Sequence, residues 1–140
     1  MWEENPCASM IRQIHMGLAK KSDKNLKEHN LTLSQMNALL FLMEADGEEL
    51  SLKELEGRMQ VSQPDAAGIA IRLEKKEMVE SFQDPSDKRM KRIRLTSHGE
   101  KRCVEAKKNM ADLEATLLKG LTKEERNLFR ELLGKVSRNV

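Results

Sequence analysis

Aromatic residues are nearly missing from this chain: no tyrosine, one tryptophan and three phenylalanines in 140 residues. A core with so few rings falls to aliphatic side chains, which favours packed helices. Cysteine is scarce as well. Cys7 and Cys103 stand far apart and match no paired spacing for zinc or for a disulfide framework, so both are expected as free thiols. His15, His29 and His98, with Glu28 and Glu100 nearby, form no compact ligand motif, and no metal or cofactor is expected. No apolar run approaches the roughly 18 residues of a membrane span, and the opening MWEENPCAS lacks the basic-then-apolar order of a secretory leader. A cytoplasmic protein without a membrane partner is the expectation. No nucleophile, base and orienter fall together and no glycine-rich phosphate loop occurs, which disfavours an enzyme.

What is present is charge, 34% of residues against 39% hydrophobic, nearly balanced at a net +2. That composition and length fit one globular domain over 1–140. Asn5 and Pro6 open a first helix expected over 6–28, with Ile11, Ile14, Leu18 and Leu26 recurring along it. Thr32 with Gln35 forms a capping-box pair, stapled by Leu31 and Met36, ahead of a second helix that Gly47 is expected to end. Ser51 with Glu54 repeats the device for a short third helix carrying Leu52, Leu55 and Met59. A fourth follows almost at once, capped by Ser62 or Gln63, with Pro64 in its first turn and Ala66, Ile69, Ala70 and Leu73 as its buried stripe. Two helices joined so tightly make a helix-turn-helix.

Residues 78–82 and 91–95 then read as two strands around an Asp84-Pro85 turn, a hairpin placed as a wing. Its tip is the most strongly charged part of the chain. From Asp84 to Thr96, Lys88, Arg89, Lys91, Arg92 and Arg94 against Asp84 and Asp87 give +3, more than the whole chain carries. A charge run alone is as easily a solvated face, but behind a helix-turn-helix it points to nucleic acid. A long helix from Thr96 or Ser97 carries Cys103, Ala106, Met110, Leu113, Leu117 and Leu121, and Thr122 with Glu125 caps a last one bearing Leu128, Leu132 and Val136. These terminal faces lack partners in a small winged domain. Pairing of helices one, five and six with a second copy about a two-fold axis is the simplest way to cover them.

Leu73-Glu74-Lys75-Lys76 before a hydrophobic pair, followed by DPSDKRMKRIRLTSHG, resembles the MarR family of winged helix-turn-helix transcriptional regulators. That family's wing carries Asp-x-Arg, a strand, Leu-Thr and Gly, matched here by Asp87, Arg89, Leu95, Thr96 and Gly99. The resemblance covers nearly the whole chain. It implies a mainly α (α+β) fold: a winged helix-turn-helix over 31–96, with a helical dimerisation region from 5–30 and 97–140. The function it implies is a DNA-binding transcriptional regulator, a ligand-responsive repressor acting as a homodimer on a pseudo-palindromic site in double-stranded DNA. Arg89, with Lys88, is then expected in the minor groove while Asp87 holds the arginine or the turn, and Lys91 completes the DNA-binding wing.

The fourth helix departs from the family pattern, which favours small polar residues and often an arginine on the exposed face. Its reading positions here would be Ser62, Gln63, Pro64, Asp65, Ala67, Gly68 and Arg72. Between Ser62 and Gln83, Arg72, Lys75 and Lys76 are outnumbered by Asp65, Glu74, Glu77 and Glu80, a net −1 that weakens phosphate attraction. Gln63 suits adenine, Asp65 a cytosine amino group, and Ala66 or Ala67 a thymine methyl; Asp65 serves equally as a helix-end anion. Gly68 implies close approach of DNA or of a neighbouring helix, and Glu77 stands where a glycine usually ends this helix.

For an effector, relatives place a small, often aromatic, acid near the junction of dimer helices and winged domain. The matching lining is His15 and Met16 with Met36, Leu40 and Met43, although a methionine stripe is more often core. Cys7, in the first turn of helix one, is the candidate for redox response, while the lack of tyrosines argues against kinship with peroxide sensors of the family. Cys103 reads as buried. A protein-interaction module that kept the winged fold without reading DNA is the alternative left open by the acidic fourth helix.

Overall fold

A computed structural model describes residues 2–140, which divide into two compact units, one running to Lys107 and the other from Lys108 to Val140. The described residues form six α-helices and one three-stranded sheet: α1 (Pro6–Glu28), α2 (Leu33–Glu44), β1 (Glu49–Ser51), α3 (Leu52–Met59), α4 (Gln63–Lys75), β2 (Val79–Gln83), β3 (Lys91–Leu95), α5 (Ser97–Leu117) and α6 (Lys123–Ser137). The mainly helical class and the helix–turn–helix followed by a hairpin are as the periodicities require.

Local side-chain chemistry starts the helices. All three capping boxes form: Thr32 with Gln35, Ser51 with Glu54 and Thr122 with Glu125 each satisfy two amide groups at a helix start. A cap of this kind is worth about 1 kcal/mol. The bonds from Ser51, backbone first, also hold the Glu54 carboxyl below its ordinary range. Ser62 caps α4 by accepting from the Asp65 amide at 3.3 Å. Asn5 stands at the N-cap of α1 with Pro6 in the first turn, but its side chain does not cap.

Three features depart from the sequence reading. Helix α2 stops at Glu44 with an extended Ala45 after it, and Gly47 instead takes the left-handed conformation, at φ +67°, inside the short 3-10 turn that follows. That turn delivers Glu49–Ser51 to the sheet as β1, a strand too brief to show alternation and hidden under a helix cap. The order is β1-β3-β2, all antiparallel, with Leu50 and Ser81 flanking Ile93. The first hairpin strand is also shifted by one residue, to Val79–Gln83.

The core of the first unit joins α2, α3, α4 and the sheet: Leu39, Leu42, Leu55, Leu73 and Ile93 are fully buried, with Leu50 and Val79 beside them and Cys103 of α5 closing the cluster. Removing a buried leucine from such a site costs about 2–5 kcal/mol. Gln35 and Ser51 are the buried polar residues, and no buried side-chain nitrogen or oxygen among the described residues lacks a partner. Gln35 Oε1 receives the Thr32 amide at 3.3 Å and Lys76 Nζ at 2.7 Å; Lys76 also donates to the Asn30 carbonyl. The end of α4 is thereby tied to the start of α2.

One junction sets the direction of three elements. Beyond Lys75 the chain turns on Glu77 at φ +60°, and the Met78 amide returns to the Leu73 carbonyl, a left-handed helix ending made without glycine. The Thr96 hydroxyl donates to the Glu77 carbonyl at 2.6 Å and accepts from the Gly99 amide at 3.1 Å, while the Thr96 amide donates to the Met78 carbonyl. Gly99 is buried against that same carbonyl of Met78, where any Cβ would run into the oxygen. By contrast α1 and α6 bury no residue and leave Met10, Ile11 and Ile14, or Leu128, Leu132 and Val136, largely exposed along one side.

Three measurements test this account. Gly99→Ala forces the junction apart and should cost about 1–3 kcal/mol, seen as a fall of several degrees in Tm. Glu77→Gly relieves a left-handed side chain and should stabilise by up to about 1 kcal/mol in urea unfolding; a loss of stability there contradicts the assignment. Burial pushes the Cys103 thiol up to about 11, so its neutral form adds stability that is full below about pH 9 and lost as pH rises through 11. At pH 8 the native protein should therefore take up one equivalent of maleimide, on exposed Cys7, and two after denaturation.

Candidate nucleic-acid interface

The tip of the hairpin is built by two aspartates with different tasks. Asp84 Oδ1 accepts from the amides of Ser86 at 2.7 Å and Asp87 at 3.2 Å, which folds the chain back at Pro85, and the Asp84 amide reaches across to the Met90 carbonyl. Asp87 serves Arg89. Its Oδ1 accepts the Arg89 amide at 3.0 Å and Nε at 3.1 Å, and its Oδ2 takes Nη2 at 3.4 Å. The Arg89 side-chain fork, followed by its amide, holds the Asp87 carboxyl below the usual carboxylate range, so the pair persists into mild acid and is lost only as pH falls through that lowered value. The arginine side chain is nevertheless 90% exposed. A held but solvent-facing guanidinium is a presented one.

The five cations of the segment do not act alike. Arg92 and Arg94 lie on β3, where the register puts Arg94 opposite Glu49 and Glu80. Arg94 lies 3.1 Å from Glu80, 3.6 Å from Glu49 and across the Phe82 ring. Arg92 meets Glu49, Glu54 and Asp84 at 3.4–3.6 Å. Cross-strand pairs of this kind fasten the sheet. The charge available to a ligand therefore rests on Lys88, Arg89 and Lys91, all exposed, and the sequence count of five overstates it.

Between this tip and the helix–turn–helix lies a concave groove of about 800 Å³. It brings together Gln63 and Ala67 of α4 with Asp87, Arg89 and Lys91 of the hairpin, all named from sequence. It adds Met90 of the hairpin and Lys53 and Glu56 of α3, which the sequence reading passed over, and Leu52, which it placed on the apolar face of that helix. Lys53 was legible in principle, since a cation in the first turn of a helix does nothing for that helix's dipole. The remaining α4 positions sit elsewhere on the helix. Ser62 is occupied as the cap, Pro64 and Asp65 are exposed in the first turn, and Gly68 and Arg72 lie further along. Ala66 is fully buried, which removes it as a contact for a base. Gly68 meets no neighbouring helix at close range: the three nearest atoms to a Cβ placed there all belong to Arg72. Ile71, not singled out in the sequence, is 49% exposed on this helix.

The residues named for an effector have mixed surroundings. Met36 is buried in the core, Leu40 and Met43 pack against it, and His15 and Met16 are exposed on α1. So little of Met36 reaches the surface that its first role is to fill the core. Cys7 is exposed in the first turn of α1.

Comparison with known proteins agrees with this geometry. Residues 31–91, from the start of α2 into the hairpin, match the model of the MarR family. Among curated proteins, the uncharacterised HTH-type transcriptional regulator YsmB of Bacillus subtilis is 26% identical over 130 residues, 93% of this chain and 88% of YsmB. Among solved structures, the MepR–DNA complex of S. aureus superposes with a TM-score of 0.81 at 24% identity, covering 94% of this chain and 98% of MepR. MarR itself superposes at 0.70 and 25% identity, covering 96% of each chain. Residues 31–91 are thus a MarR-family domain, and with its helix–turn–helix, charged hairpin and glycine-locked junction in that order the chain has the form of a winged helix-turn-helix transcriptional regulator of the MarR type.

Proposed function

We propose that the protein is a homodimeric repressor that binds a pseudo-palindromic site in double-stranded DNA, with α4 in the major groove and the hairpin in the adjacent minor groove. The single observation that carries this is the groove in which the presented guanidinium of Arg89 and the free ammonium of Lys91 face Gln63 and Ala67 of α4. A helix and a wing separated by such a concavity fit a phosphate backbone between them. MepR, which has the same fold and forms a complex with DNA, supports the placement.

In this reading Arg89, with Lys88, supplies minor-groove attraction, and Lys53 and Lys91 meet the phosphates on the groove walls. Ser62, Gln63, Pro64, Asp65, Ala67, Gly68 and Arg72 face the major groove. The uncovered apolar sides of α1 and α6 pack against their copies, as dimers are typical of the family. Response to a small ligand is likewise typical of it. Binding to DNA would place the protein in the cytoplasm, and no helix among the described residues is long and apolar enough to cross a membrane.

Arg89→Ala should weaken binding to any duplex about tenfold and lower the slope of log affinity against log salt by about 1, measured by fluorescence anisotropy at several salt concentrations. Unchanged affinity and slope would remove the wing from the interface. A wild-type protein that binds neither promoter nor random duplex at low salt refutes the DNA-binding reading altogether.

A further inference from the structure

The outer face of α4 is almost bare of groups that can donate to a base. From Pro64 to Arg72 the sequence is Pro-Asp-Ala-Ala-Gly-Ile-Ala-Ile-Arg, in which Arg72 alone has a side-chain donor. Arg72 is exposed and forms no ion pair among the described residues, so its five N–H groups are uncommitted to any carboxylate. Its guanidinium is not loose in solvent either. It lies back over Gly68, with Nη1 3.1 Å and Cζ 3.8 Å from the place a Cβ of residue 68 would take. Position 68 is one turn before position 72, and long helical side chains lean toward the N-terminus, so whatever occupies 68 decides where an arginine at 72 rests. Glycine is a poor residue for a helix interior, and here nothing but Arg72 crowds it.

We propose that Arg72, seated across Gly68, is the guanine-reading residue of this helix, with Gly68 as its positioning residue. The inference rests on the placement of α4 in the major groove. A planar fork laid along the helix surface presents two parallel donors, the pattern that matches O6 and N7 of a guanine. The missing side chain at 68 lets backbone and base edge approach across the guanidinium, and the seat limits the rotamer freedom lost on binding. Net acidity of the helix does not oppose this, because a bidentate base contact depends on fork geometry more than on summed charge.

The test uses the full-length protein and the duplex it prefers, selected from a random pool, with affinity for that duplex relative to a random one as the readout. Arg72→Lys, which keeps the charge and loses the fork, should lower this ratio about tenfold, because affinity for the preferred duplex falls much more than affinity for the random one. In the wild type, 7-deazaguanine at one guanine of each half-site should cause a similar loss, and in Arg72→Ala none. Gly68→Leu, whose side chain takes the seat, should lower the ratio as far as Arg72→Lys does, and should add nothing in an Arg72→Ala background. The proposal falls if Arg72→Ala keeps the guanine requirement, or if Gly68→Leu is equally harmful in both backgrounds and so acts by its own bulk. If the wild type prefers no duplex over random DNA, base reading by α4 fails and this inference with it, while salt-sensitive binding through the wing still stands.

Discussion

Everything this fold presents to a ligand depends on the small knot at Thr96. One hydroxyl, donating a hydrogen bond to the Glu77 carbonyl and accepting one from the Gly99 amide, ties the end of α4 to the start of α5. The sheet strand that ends at Leu95 enters the same knot through the Thr96 amide and the Met78 carbonyl. A hydroxyl is suited to this because it donates and accepts at once. Gly99 is required because its Cα rests on the Met78 carbonyl, with no room for a side chain. The angle between α4 and the hairpin, and so the groove between them, follows from these contacts and from the tether of Lys76 to Gln35.

From this frame comes the division of labour among the cations. β3 alternates basic and apolar residues, and the knot fixes its register, so Ile93 and Leu95 turn inward while Arg92 and Arg94 face the acids of β1, β2 and α3. Arg92, Glu49, Glu54 and Asp84 form a part-buried network in which several partners share one guanidinium. Such a network orders the sheet better than an isolated surface pair, whose contribution is about 0–1 kcal/mol. Lys88 and Arg89 lie past the last pair, Gln83 with Lys91, and of these three cations only Arg89 has an acid partner among the described residues, Asp87.

How much of this could be read from the sequence depended on the range of the interaction. The capping boxes, the helix-turn-helix spacing and the hairpin turn are encoded within three or four residues, and each appears where the sequence places it. β1 was not legible, because three residues show no periodicity and Ser51 already had a role as a cap. The commitment of Arg92 and Arg94 was equally hidden, since Glu49 is more than forty residues from either in sequence. Ala66 was legible as buried from its place in the stripe with Ile69, Ala70 and Leu73, and its packing leaves Ala67 as the alanine open to a ligand. The site was therefore clearest at the wing, where the chain talks to itself locally. It was least clear on α4, where function turns on which face looks outward.

In the proposed complex with DNA, the carboxylate of the wing serves an arginine that meets an anion. An exposed Asp87–Arg89 pair adds little to stability, so its value lies in geometry. Asp87 Oδ1 bonds the Arg89 amide as well as its guanidinium, and these two bonds can be broken separately. When the fork turns toward a stronger negative potential, such as that of a narrow minor groove, the bond to the amide remains and keeps the turn closed beneath it. The carboxylate thus limits the freedom of the arginine before contact without having to release the loop on contact. A neutral residue at 87 would leave the turn held by Asp84 and by the Met90 amide on the residue-87 carbonyl, but the fork of Arg89 would lose its carboxylate, and ordering it on contact would weaken binding.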